Sequence, residues 1–298
     1  MGVSAYLMWG LFPLYWPLLK PAGALEILAH RVVWSFGVLL ALLLATGMLG
    51  WVRTAPRRKL AWLTLAALLV SFNWLLYIWA VNAGHVVETS LGYFINPLIS
   101  VLLGVAFLKE RLRPGQWLAL GGAFIAVLVL SSDYGHPPWI ALGLAPSFGL
   151  YGLVKKHAGV GAVESLSFET AVLVLPALAY LVSLELNGTG AFGHVPLRTE
   201  VLLVGAGVIT ALPLVAFGAA ANRVPLSTLG VLQYFAPTLQ FLCGVWFFHE
   251  AMSSLRWVGF AIIWVSLAGF ALEGVLVQRS RLPGKPSPRP SPPQGRGS

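Results

Sequence analysis

Two stretches of the chain are close to copies of one another: LGYFINPLISVLLGVAFLKE at 91–110 and LGVLQYFAPTLQFLCGVWFFHE at 229–250. Pro97, Gly104, Glu110 and Trp117 in the first have counterparts in Pro237, Gly244, Glu250 and Trp257, each displaced by 140 residues. Asn82 and Asn222 keep that displacement, while YLMWG at 6–10 and FGLYG at 148–152 match at 142. Such a period lies far beyond the roughly 20 to 50 residues of solenoid repeats. The chain is a duplicated domain, and its fold must accommodate two related halves.

Each half is too apolar for water. Hydrophobic residues make up 58% of the chain, charged residues 10%, and the mean hydropathy is +0.81, whereas a soluble domain carries roughly 25% charged residues. A bilayer core needs a helix of roughly 20 apolar residues. Ten segments meet that need: 3–19, 25–46, 60–81, 86–108, 114–131, 138–154, 162–184, 200–221, 225–247 and 255–277. The expected fold is an all-α integral membrane protein of ten transmembrane helices. Residues 1–132 form a first five-helix repeat and 138–277 a second. The Pro-rich 278–298, which lacks apolar periodicity, is expected to be a disordered cytoplasmic tail.

Orientation follows from the basic residues. With a cytoplasmic N-terminus, fifteen of the nineteen Lys and Arg fall on inside connections and in the tail, three fall on outside connections and helix ends, and Arg31 lies within a span. This excess places both termini in the cytoplasm. Five is an odd number, so the second copy enters the bilayer from the opposite side, the inverted-repeat plan of secondary transporters. No basic region precedes the first apolar run, so no removable signal peptide is expected.

Several functions are disfavoured. The formal charge of +9 sits in short clusters between apolar runs, a topogenic pattern rather than a nucleic-acid face. Cys243 is the single cysteine, which excludes an internal disulfide and a multi-cysteine metal site. Nucleotide-binding, zinc-protease and serine-hydrolase motifs are absent, so neither a metal nor another cofactor is expected, and the chain does not read as an enzyme.

Ionisable groups at membrane depth are costly and point to function. Arg31 and Glu169 occupy equivalent places, 138 residues apart, as do Glu26 and Glu164. Glu26 and Glu164 suit interfacial helix starts, whereas Arg31 and Glu169 lie deeper and suit a pathway or gate. His30 could couple protons or only join two helices. Thr89, Tyr93, Asn96 and Ser100 share one helical face, and Ser227, Gly230, Gln233 and Tyr234 form its counterpart. Either face could line a cavity or pack helices. Pro97 and Pro237 interrupt the backbone ladder beside these faces. With Asn73 in the third span, the candidate substrate path comprises His30, Arg31, Asn73, Tyr93, Asn96, Glu169, Gln233 and Tyr234. Trp51, Trp62, Trp117, Trp139 and Trp257 fall near span ends as interfacial anchors.

The segments AYLMWGLFPLYW, EILAHRVVWS, LGYFINP, WIALGLAPSFGLYGLVKK and LGVLQYFAP, in this order and spacing, resemble the RarD branch of the EamA family within the drug/metabolite transporter superfamily. The resemblance runs from residue 1 to about residue 273. It implies a multi-pass carrier in the bacterial inner membrane with a small-molecule substrate, membrane lipids around it and no nucleic acid. Proton coupling through Glu169 or His30, and a homodimer, are both compatible with this reading. A lipid-handling scramblase or membrane enzyme is the alternative.

Overall fold

The computed structural model describes residues 2–47, 55–108, 113–221 and 234–280, and among these every regular element is helical. In the first half, α1 (Gly2–Gly10) and α2 (Phe12–Tyr15) run into a 3-10 turn at Trp16–Leu19, followed by α3 (Ala24–Thr46), α4 (Arg57–Asn82), α5 (Val86–Leu108) and α6 (Pro114–Tyr134). The second half has α7 (Trp139–Ala158), α8 (Ala162–Leu186), α9 (Leu197–Ala221), α10 (Phe235–Leu242) extended by a π turn at Cys243–Phe247, and α11 (Ser254–Ser280).

The first expected span is broken, because Pro13 opens α2 and Pro17 opens the 3-10 turn, and each proline lacks the N–H that a continuous helix needs. Pro97 does not break α5, which is helical from 86 to 108. Pro237 is the third residue of α10, where a missing N–H costs no helical bond. The last helix runs to Ser280, three residues into the expected tail, whose remainder lies outside the described residues, as does Trp51.

Among the described residues, five helices are long and apolar enough to cross a membrane: α3, α4, α6, Val163–Leu186 of α8 and Ser254–Gly274 of α11. Their outer faces are apolar: Leu118 is 78% exposed and Leu186 82%. A contiguous surface of this kind is compatible with hydrocarbon, not water. Trp117, Trp139 and Trp257, in the first turns of α6, α7 and α11, are exposed as expected of interfacial anchors.

The tightest packing runs between the halves: α5 on α7, α4 on α7, α3 on α9, α3 on α8, α4 on α8, α1 on α9 and on α10, α5 on α10, and α6 on α11. Exchange the five segments of one half for those of the other, with α1 and α2 as one segment, and this set of pairs maps onto itself. Small residues permit the approaches: a Cβ on Gly207 of α9 would lie 2.4 Å from the Trp34 backbone of α3, a clash no side chain could relieve.

Carboxylates join the halves at one end. Glu26, in the first turn of α3, accepts from the amides of Ala191 (2.7 Å) and Phe192 (3.3 Å) between α8 and α9. Glu88 of α5 accepts from the Ile140 amide of α7 at 2.9 Å. Glu250, between α10 and α11, accepts from the Val86 and Val87 amides at the start of α5, at 2.5 and 3.0 Å. Arg256 of α11 meets Asp133 at the end of α6 at 2.6 Å. The orphan N–H groups and positive dipole at a helix start favour such anions.

Candidate functional site

Arg31 and Glu169 are both buried, yet among the described residues no ion pair joins them. Their surroundings differ. Glu169 is satisfied: Tyr151 donates its hydroxyl to Oε2 at 3.0 Å, Ser165 donates to Oε1 at 2.5 Å, and Lys155 Nζ lies 3.3 Å from Oε1. Lys155 also donates to the Tyr151 hydroxyl at 2.8 Å. Tyr151 and Lys155 are one turn apart on α7, as Ser165 and Glu169 are on α8, so packing two helices completes the network. Lys155, counted from sequence as a connection charge, is part of this buried assembly.

Among the described residues Arg31 meets no carboxylate. Its Nε donates to Thr210 Oγ1 of α9 at 2.7 Å, and its guanidinium lies over the rings of Trp74 (3.8 Å), Trp16 (5.3 Å) and Phe12 (5.8 Å). Nη1 is buried without a partner. Tyr77 and Tyr93 lie within electrostatic range of it, their rings edge to face at 5.6 Å. The Tyr77 hydroxyl and Trp16 Nε1 are likewise buried and unpartnered.

The other expected path residues divide. Asn73 is wholly buried and committed: Nδ2 donates to Leu144 O (3.0 Å) and Ser147 Oγ (2.9 Å), and Oδ1 accepts from the Tyr93 hydroxyl (3.2 Å). It ties α4 to α7 and sets the Tyr93 ring. Asn96, on the same face of α5, keeps a buried Oδ1 without a partner. His30 accepts at Nδ1 from Trp34 Nε1 at 3.2 Å and stacks on Phe192 at 4.9 Å. Tyr234 is partly buried against the core formed by α5, α6, α10 and α11. Gln233, Ser227 and Gly230 lie outside the described residues. Thr89 bonds locally to Val86 O and leaves the shared face unaided.

Sequence reasoning missed Trp74, Tyr77, Tyr151 and Thr210. Only Tyr151 carried a readable signal, its four-residue spacing from Lys155; the others reach the site through helix crossings that no local pattern encodes. Glu88 and Glu250 were also missed as links. Burial pushes the Glu250 carboxyl above its usual range, against the opposing pull of the Val87 and Val86 amides.

An EamA-like transporter family model matches residues 1–132. The chain is 57% identical over 268 residues to Protein RarD of Streptomyces exfoliatus, covering 89% of this chain and 85% of that protein. It is 43% identical over 281 residues to Protein RarD of Escherichia coli (strain K12), covering 94% and 95%. To the uncharacterized transporter YojE of Bacillus subtilis (strain 168) it is 44% identical over 282 residues, covering 93% and 94%. A crystal structure that is 22% identical in sequence shares the fold, with a TM-score of 0.60 over 93% of this chain and 97% of that one. Relatives this similar over nearly their whole length settle the family: the chain is a RarD-like member of the EamA-like transporter family, a multi-pass bacterial membrane transporter.

Proposed function

We propose that the chain is a secondary-active carrier of small organic metabolites or drugs, built as two inverted five-span repeats, 1–132 and 138–277, with both termini cytoplasmic. One observation carries this reading: the tightest inter-half packing pairs are unchanged when the halves are exchanged. The carboxylate links add direction. At their end of the bundle α3, α5, α7 and α11 begin and α6 ends, so α7 runs opposite to α1 and α2, and α11 opposite to α6. Two inverted copies can exchange conformations at little net energy, which opens one central path alternately to each side. Arg31, Tyr93 and Asn96 are assigned to that path, with Gln233 and Tyr234 as the counterpart of the α5 face.

Single cysteines in a Cys243→Ser background test this. Thiols at 93 and 96 are expected to react with a small water-soluble reagent in membranes, because a water-filled route lets the thiolate form, while one at the lipid-facing Leu118 stays inert. Inert thiols at 93 and 96 in a folded protein would return the face to helix packing.

A further inference from the structure

Three unpartnered polar groups near Arg31 can donate a hydrogen bond. Arg31 Nη1 and Trp16 Nε1 are donors only, and the Tyr77 hydroxyl is a donor with acceptor capacity; all three are buried and without a partner. The Trp16 ring lies 5.3 Å from the guanidinium, and Tyr77 within electrostatic range. Buried donors are almost always paired, and leaving one unpaired is costly. Burying an uncompensated charge is costlier still. Stacking on Trp74 offsets only part of that cost. The aromatic cage holds and orients the cation without neutralising it. What would complete this cluster is an acceptor with negative charge.

The magnitude of that charge is limited too. Lys155 and Glu169 pair with one another, so among the described residues Arg31 is the buried charge left to be balanced. A monoanion balances it; a phosphate dianion would leave one buried charge in excess. The flanking rings of Trp74, Trp16 and Phe12 suit a planar group.

We infer that Arg31, caged by Trp74, Trp16 and Phe12 and held by Thr210, binds the anionic group of the substrate, and that the substrate class is small organic monoanions, carboxylates foremost. This rests on the carrier reading above. Nη1 is free to form a charge-assisted bond to a carboxylate while Nε stays on Thr210, and the Tyr77 and Trp16 donors supplement it.

The test is calorimetric titration of the purified full chain in detergent with benzoate, benzamide, benzylammonium and sodium chloride. Benzoate is expected to bind at least about tenfold more tightly than benzamide, a difference set by one charge-assisted contact, and benzylammonium not at all. Arg31→Gln should weaken benzoate about ten- to a hundredfold, whereas Arg31→Lys, which keeps the charge, stays between that variant and the native protein. If Arg31→Gln does not fold, the benzoate-to-benzamide ratio and the Lys variant decide. Equal binding of benzamide, unchanged benzoate affinity in Arg31→Gln, or no benzoate heat would overturn the inference; chloride displacing benzoate from the same site would make it an inorganic-anion site and overturn the substrate class. Counterflow of labelled benzoate in proteoliposomes is separate: binding with the stated charge selectivity but no flux would leave the anion site standing and refute the carrier reading for this ligand.

Discussion

The two halves bury one charge each at equivalent places, and they treat it in opposite ways. The second half surrounds Glu169 with Lys155, Tyr151 and Ser165, leaving the carboxylate fully met. The first half gives Arg31 a hydroxyl and three rings, and no counter-charge. At two positions set 138 residues apart, one carboxylate is met by its neighbours and the other charge sits in an incomplete cluster. Two buried charges can be alike in depth and still differ in what their partners leave undone.

Leucine at each position breaks the comparison most sharply. Glu169→Leu removes an acceptor from two buried hydroxyls and a partner from Lys155, and should lower stability by about 2–4 kcal/mol; Lys155, at 23% side-chain exposure, has some route to water, which keeps the loss at this level. Arg31→Leu strands nothing, because Thr210 already donates to Ala206 O at 2.8 Å, and it removes an unbalanced ion. Thermal unfolding in detergent should therefore show a lower midpoint for Glu169→Leu and an unchanged or higher one for Arg31→Leu. Equal losses would mean that Arg31 is as well compensated as Glu169.

Milder changes sharpen the contrast. Tyr151→Phe deletes one hydrogen bond to Glu169 and should cost about 1–2 kcal/mol, whereas Thr210→Val should leave the midpoint within about 0.5 kcal/mol but loosen the guanidinium. Weaker benzoate binding in Thr210→Val, with unchanged stability, would show the hydroxyl to be a positioning group.

These partners measure what could be read from the chain itself. The all-helical, apolar character of the chain and the burial of Arg31 and Glu169 were legible, because hydropathy is written in residue order. Pairing was not: Thr210 reaches Arg31 across 179 residues, through a crossing that Gly207 permits. Glu26 stands in the first turn of α3 as expected, and its carboxylate also accepts from amides beyond α8. A dipole argument is local, and the distant donors are chosen by tertiary packing. Of the ninth segment, 235–247 is helical, and its earlier residues, Gln233 among them, lie outside the described residues.

The smallest effect concerns pH, at the joined end of the bundle. The Glu250 pKa is raised from its ordinary 4.5 by burial. The folded protein thus takes up a proton more readily than the unfolded chain, and this contribution is full below 4.5 and lost as pH rises through the folded pKa. The unfolding midpoint of the native protein should rise slightly between neutral pH and about pH 5 relative to Glu250→Gln, which cannot titrate. Parallel profiles would show that solvent screens the group.

The carboxylate links also set an order of events during synthesis. Glu26 finds its donor amides 165 and 166 residues downstream, and the start of α5 waits 164 residues for Glu250. The amino-terminal half enters the bilayer first, with one carboxylate idle and one helix start bare. Insertion can proceed on hydropathy alone, but docking has to wait until the ribosome has delivered the connection after α10. The final shape of the first copy is dictated by the arrival of the second, so a chain arrested between the halves would be threaded through the membrane yet unassembled, a natural target for quality-control proteases.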